Sequence, residues 1–190
     1  MKPTVKVIIT GSSKTDVVEF VSMLSETEVT EREKKAPDPF SATKEELLLL
    51  PEVGRVEWNN MAVQMQALPA YKRYDFTWPT LLRRVYGVIV LVNGDDAGEI
   101  EDTRRLLKLF GMMEQSNCLV AIKQQVEGND EKLTEMRACL KTTYPVMIYV
   151  PDGRDSAGNV LRAWVNIVPP PEEPTRRRTR SSGGDKRSDF

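Results

Sequence analysis

The stretch of sequence that most restricts the fold lies between Lys6 and Glu26. A mostly β-branched run ends at Thr10, meets Gly11 and gives way to apolar residues at helical spacing. The helical positions are Val17, Val18, Val21 and Leu24. This order predicts a β-strand that turns through a glycine directly into an α-helix. In α/β proteins such a turn presents free helix N–H groups to the phosphates of a nucleotide.

The residues that hold a phosphate at such a turn are replaced. The phosphate-binding motif reads G-x-x-x-x-G-K-[ST]. Counted from Gly11, the second glycine falls on Asp16, the lysine on Val17 and the hydroxyl residue on Val18. A carboxylate about 4 Å from a phosphate charge repels it by roughly 4 kcal/mol at a near-surface dielectric. The sequence therefore predicts a phosphate loop that holds no phosphate.

A lysine–threonine pair, Lys14 and Thr15, lies three residues too early for the motif. That shift leaves a loop too short to wrap a phosphate. We expect Thr15 or Asp16 to cap the helix and Lys14 to be a solvated loop charge.

Composition limits the class of protein. The chain has 190 residues, 40% of them hydrophobic, which suits one domain over residues 1–168. Residues 169–190 are rich in proline, arginine, serine and glycine and predict a disordered tail. There is no histidine, and the two cysteines lack metal-ligand spacing, so neither a metal site nor histidine-based catalysis is expected. Reduced thiols, no signal peptide and no long apolar run predict a cytoplasmic protein.

Strand and helix patterns alternate along the chain. A hairpin is predicted from residues 53–58 and 62–68, joined at Asn59 and Asn60 after a polar loop over residues 26–46. Further strands are predicted over residues 87–93, 118–122 and 146–150, and helices over residues 78–86, 100–113, 129–140 and 156–168. The alternation predicts a three-layer, P-loop NTPase-like α/β fold. Its sheet should be mostly parallel, with about six strands and one antiparallel edge strand.

Several phrases in this order resemble the prokaryotic Ras-like small GTPases, and this likeness covers roughly residues 4–168. The nearest branch contains the gliding-motility polarity GTPases and the actinobacterial GTPases that pair with roadblock proteins. The phrases are Thr10-Gly11 with Phe20 and Ser25-Glu26, then Glu52-Val53-Gly54-Arg55-Val56, then Phe76-Thr77-Trp78 with Leu81-Leu82-Arg83 and the strand GVIVLVN. The small GTPase fold is what this resemblance implies.

The resemblance also implies which positions would bind nucleotide, and most are substituted. The glycine whose N–H binds the γ-phosphate is Ala70, and the water-orienting position is Tyr71. The base-reading N-K-x-D keeps only Lys123, because its carboxylate is replaced by Gln125. The first switch threonine would lie near Leu47 and Leu48, and the last base loop at Val150-Pro151-Asp152.

Three contacts with a nucleotide are lost: the phosphate lysine, the metal-binding hydroxyl and the guanine-binding carboxylate. At roughly 1.5–3 kcal/mol each, their loss reduces the affinity for GTP by a factor of about 10³–10⁶. Phosphoryl transfer also needs the metal and the lysine. The resemblance therefore implies a pseudo-GTPase without cofactor or metal, which binds a roadblock-type dimer or a true Ras-like GTPase.

The candidate partner-binding residues are Tyr71, Lys72, Arg73 and Tyr74, in the loop that corresponds to the second switch. Phe76 and Trp78 are expected only to pack against the following helix.

Two alternatives remain open at this level. One is a divergent GTP-binding protein or weak NTPase that uses Lys14, Thr15 and Lys123 in shifted roles. The other is an adaptor that contacts nucleic acid or a membrane through its basic tail.

Overall fold

The computed structural model describes residues 3–31, 34–37, 46–49, 52–58, 60–115, 117–125 and 130–167. The strands are β1 (Thr4–Gly11), β2 (Thr30–Glu31), β3 (Lys34–Pro37), β4 (Glu46–Leu49), β5 (Glu52–Trp58), β6 (Met61–Pro69), β7 (Gly87–Asn93), β8 (Cys118–Lys123) and β9 (Val146–Tyr149). The helices are α1 (Lys14–Leu24), α2 (Trp78–Leu82), α3 (Ala97–Met112), α4 (Asp130–Leu140) and α5 (Arg154–Ile167). A 3-10 helix, Lys72–Thr77, precedes α2.

The main sheet has the strand order β2-β5-β6-β1-β7-β8-β9. Strands β6, β1, β7, β8 and β9 are parallel, whereas β5 pairs antiparallel with β6. The two-residue β2 extends the sheet beyond β5. The predicted fold class is confirmed: a three-layer, P-loop-like α/β architecture with a mostly parallel sheet and one antiparallel hairpin. The hairpin turn includes Asn60 with a φ of 64°, as its side chain permits.

Helices cover both faces of the sheet. Alternate residues of β1 (Val5, Val7 and Ile9) pack with α1 and α5 on one face. Ile8 points to the other face, which is covered by α2, α3 and α4. Strand β7 is buried on both sides, which explains its continuous apolar sequence. The parallel strands therefore end together at one edge, next to the first turn of α1.

Two predicted elements differ from the structure. The helix expected over residues 78–86 ends at Leu82, because the chain must enter β7 and the N–H of Tyr86 donates to the carbonyl of Lys6 (2.7 Å). The loop expected over residues 26–46 contains β2 and β3, and β3 pairs with β4 in a separate two-stranded sheet. Thr30 of β2 pairs with Val53, 23 residues later, and this pairing leaves no local pattern, whereas Pro37 of β3 pairs with Glu46, only nine residues later.

The tail predicted over residues 169–190 lies outside the described residues. Of the helices in the described part of the chain, none combines the length and the hydrophobicity that a bilayer crossing requires.

Candidate functional site

The turn between β1 and α1 is shaped by packing. A Cβ on Gly11 would lie 2.5 Å from the carbonyl oxygen of Leu91 in β7, so only glycine fits there. The hydroxyl of Ser13 then accepts the N–H of Asp16 (3.2 Å) and caps α1. The prediction that Thr15 or Asp16 is the cap is wrong, because Ser13 has the extended backbone that a cap requires. The N–H of Asp16, one of the helix N-terminal groups that could bind a phosphate, is therefore already hydrogen-bonded within the chain.

The two positions that carry the lysine and the hydroxyl in a working phosphate loop face the protein interior. Val17 is 1% exposed and belongs to the core cluster beneath α1, and the half-buried Val18 packs against that cluster. Lys14 and Thr15 are exposed at the start of the helix. Apolar side chains therefore lie where a nucleotide-binding loop has its cation and its metal ligand.

An ion pair closes the site across the edge of the sheet. The Nζ of Lys123, the last residue of β8, lies 2.7 Å from Oδ1 of Asp16 in the first turn of α1. Their side chains are 25% and 20% exposed. The cation that the resemblance assigns to base recognition is therefore engaged by the residue that replaces the second loop glycine.

Further carboxylates make the surroundings of this ion pair negative. Burial raises the pKa of Tyr149, and the charges of Asp16, Glu19 and Glu99 raise it further. The Tyr149 ring packs edge-on against Phe20, with ring centroids 5.9 Å apart. A cavity of only about 10 Å³ remains beside these residues. That volume holds at most one water molecule.

The segment after β6 is the one that the resemblance assigns to the second switch. The N–H of Ala70, the group that the resemblance assigns to the γ-phosphate, donates to the carbonyl of Gly11 (2.8 Å). This bond continues the ladder between β1 and β6. The carbonyl of Ala70 accepts a hydrogen bond from Nη2 of Arg105 in α3 (3.1 Å). Both backbone groups of Ala70 are therefore bonded within the chain.

The remaining predicted nucleotide positions lie after β8, in β4 and after β9. Gln125 is exposed beyond the end of β8. Leu47 and Leu48 fall in β4, whose side chains are outside the described set. In the loop that the resemblance assigns to base contact, the carbonyl of Val150 accepts hydrogen bonds from the hydroxyl of Ser156 and from the N–H of Asp152.

A cavity of about 370 Å³ lies beside this last loop. Its lining comes from β9, the following loop and the start of α5: Met147, Ile148, Tyr149, Val150, Asp152, Asp155, Ser156 and Asn159. No residue of the β1–α1 turn contributes to this lining. The cavity is therefore separate from the phosphate-loop position.

The four candidate partner residues lie at the start of the 3-10 helix. The guanidinium of Arg73 lies over the rings of Tyr71 (5.5 Å) and Tyr74 (4.8 Å). Tyr71 is 37% exposed, and Lys72 and Arg73 are also exposed, whereas Tyr74 is half-buried. The structure thus brings these side chains together on one surface.

Of the two aromatic residues that follow, Trp78 lies as predicted and Phe76 does not. Trp78 is buried and packs edge-on against Phe110 of α3, as expected. Phe76 is 42% exposed, so the expectation that it only packs is wrong. Phe76 is thus a further exposed aromatic side chain of the 3-10 helix.

Sequence reasoning missed Ser13 and Arg105. The S-x-x-D spacing from Ser13 to Asp16 is a capping signal that identifies the first. Arg105 contacts Asp75, 30 residues earlier, and no local pattern indicates that pair. Among the described residues, no group of three or more histidine, cysteine, aspartate or glutamate side chains has an arrangement that could hold a metal ion.

No protein-family model matches the chain, and no curated protein matches it in sequence. The likeness to the prokaryotic Ras-like GTPases therefore rests on the sequence phrases and on the order of strands and helices described above.

Proposed function

We propose that this chain is a pseudo-GTPase, a protein-interaction module with a small GTPase-like fold that neither binds nor hydrolyses nucleotide. The observation that carries the proposal is the ion pair between Asp16 and Lys123 (2.7 Å). It joins the first turn of α1 to the end of β8, where the resemblance would place a nucleotide. A nucleotide would have to break this pair and place its phosphates beside a carboxylate.

Two further contacts support the proposal. The Ala70 N–H has an acceptor in Gly11, so it is not available to a γ-phosphate. Val17 is packed in the core and offers no charge. Three charge-assisted contacts of a nucleotide are therefore absent or occupied, at roughly 1.5–3 kcal/mol each.

Isothermal titration of the full chain with GTP, GDP and ATP in the presence of Mg²⁺ tests the proposal. We expect no binding at micromolar nucleotide. Micromolar or tighter binding, or single-turnover hydrolysis that is lost in Lys14→Ala, would establish a divergent NTPase instead. Lys132→Ala is the matched control for loss of a lysine charge, because Lys132 lies on α4 and pairs with Glu135 there.

The proposed partner is a protein, either a roadblock-type dimer or a motif-complete Ras-like GTPase in the cytoplasm. Small GTPases present their switch segments to partners, and nucleotide controls the conformation of those segments. Here internal contacts hold the second-switch segment. The exposed Tyr71, Lys72 and Arg73 provide the amphipathic and charged groups that interfaces favour.

A further inference from the structure

Arg105 in α3 contacts both ends of the segment formed by residues 70–75. Its Nη1 is paired with Oδ2 of Asp75, and its Nη2 donates to the carbonyl of Ala70 (3.1 Å). Its Nε lies 3.8 Å from Oδ1 of Asp102, one turn earlier in α3. The Arg105 side chain is 23% exposed, so these contacts are partly shielded from water. One guanidinium thus ties the segment to a rigid helix at two points.

The same side chain changes the charge of the surface. Residues 70–84 contain one acidic residue, Asp75, and four basic residues: Lys72, Arg73, Arg83 and Arg84. The four basic side chains are exposed. Because Arg105 pairs with Asp75, the only negative charge of this stretch is neutralised from within. The exposed charged residues of this stretch are therefore all basic, and Tyr71 and Phe76 are its exposed aromatic residues. Asp102 of α3, whose side chain is 53% exposed, is an acidic residue next to Arg105.

We propose that Arg105 is a positioning residue that fixes residues 70–77 for binding and thereby directs this surface to an acidic segment of a protein partner. The inference rests on the proposed function for the identity of the occupant. The occupant follows from charge complementarity and from the exposed aromatic rings, which suit a peptide that carries both carboxylate and apolar side chains. In nucleotide-dependent relatives of this fold, phosphate contacts order such segments. Here a guanidinium provides that contact.

Hydrogen exchange on the full chain tests the positioning role without any partner. The reporters are the amide of Tyr74, which donates to the carbonyl of Tyr71 (2.9 Å), and the amide of Ala70. We expect Arg105→Gln to accelerate the exchange of both amides by about tenfold or more, because the free energy of local opening of the segment is then lower. Amides of β7 should be unchanged. Arg105→Lys keeps the charge but not the two-point contact, and should restore only part of the protection.

Arg104→Gln is the matched control, because the neighbouring Arg104 contacts Glu101 and the carbonyl of Cys139 instead. It should leave both reporter amides at the wild-type rate. Raising NaCl to about 1 M should accelerate exchange at the reporters in the wild type but not in Arg105→Gln, since screening weakens an ion pair. Unchanged exchange in Arg105→Gln, or an equal rise throughout β7, would overturn the positioning role.

Polymers of defined charge test the occupant. Poly-L-glutamate should protect the amides of residues 70–77 of the wild type in low salt, and this protection should fall at least fivefold in Arg105→Gln. Poly-L-lysine should give none. Absence of protection by poly-L-glutamate, or stronger protection by poly-uridine RNA, would overturn an acidic protein as the partner. These results do not depend on the nucleotide titration, so failure of this inference and failure of the proposed function can be distinguished.

Discussion

Asp16 and Lys123 are 107 residues apart in the chain, yet their side chains form a part-buried hydrogen bond. Replacing Asp16 with asparagine leaves the ammonium of Lys123 partly buried without its counter-charge. We expect the free energy of unfolding to fall by roughly 1–3 kcal/mol, the cost of leaving a buried polar group without its partner. Urea denaturation of the wild type and Asp16→Asn measures the difference.

A double-mutant cycle with Lys123→Gln isolates the pair, and a coupling energy near zero would show that the ion pair does not stabilise the fold. Glu135→Gln on α4 provides the control, because Glu135 is 60% exposed and pairs with Lys132 on the helix surface. Its effect should stay within about 0.5 kcal/mol.

The buried thiol of Cys118 and the buried phenol of Tyr149 predict how the stability of the fold changes at alkaline pH. Burial raises the pKa of the Cys118 thiol and of the Tyr149 phenol above their ordinary values. The unfolded chain therefore releases these protons at a lower pH than the folded chain, so stability falls as pH rises. We expect the free energy of unfolding to decline above about pH 8.5 and more steeply above about pH 10.

Tyr149→Phe should weaken the decline above about pH 10, because it removes the titrating hydroxyl and keeps the ring against Phe20. Tyr71→Phe, at an exposed position, is the control for loss of a tyrosine hydroxyl. Urea unfolding over a pH series provides the measurement, and identical profiles for the wild type and Tyr149→Phe would contradict the prediction.

At the level of elements, the phosphate-loop sequence can be restored without restoring the site. The triple substitution Asp16→Gly, Val17→Lys and Val18→Thr rebuilds the motif but leaves Ala70 bonded to Gly11 and Gln125 neutral. It also places a lysine where Val17 is 1% exposed, which should destabilise the fold. We expect no nanomolar GTP binding by titration calorimetry. Val18→Thr alone is the control for folding, and nanomolar affinity in the triple mutant would show that the base site is intact.

The sequence predicts elements well where the signal is local. The hairpin of β5 and β6 alternates apolar and polar residues around an asparagine turn, and β7 is continuously apolar because both its faces are covered. The 3-10 helix Lys72–Thr77 has no such periodicity, and its tie to Arg105 spans 30 residues. The sequence alone shows that Val17 and Val18 stand where a phosphate-binding loop has its lysine and its hydroxyl residue. The contact that closes their site depends on how β8 lies relative to α1, so it could not be predicted from sequence.

At the scale of the whole molecule, the proposed interface predicts separable effects on binding and stability. Tyr71→Ala or Tyr74→Ala should weaken partner binding by at least about 1–2 kcal/mol, because surface tyrosines, whether exposed like Tyr71 or half-buried like Tyr74, are frequent interface anchors. Both variants should keep their melting temperature within a few degrees, since neither ring belongs to the core clusters. Calorimetry with a candidate roadblock dimer or Ras-like GTPase measures the affinity. Ile167→Ala, exposed at the end of α5, is the control. Unchanged affinity in both tyrosine variants would place the interface elsewhere.

The hydrogen bond from Ala70 to Gly11 affects how long a signal from this protein would last under the proposed function. A switch that is held by a nucleotide carries its own timer, because hydrolysis ends the signal. Here the Ala70 N–H is bonded to the backbone of its own chain, and under the proposed function no hydrolysis step resets it. Under the proposed function, output depends on how many copies of the chain a cell contains. Synthesis and degradation of the chain would then take the place of nucleotide exchange and hydrolysis. The lifetime of the protein would set how long its complex with the partner persists.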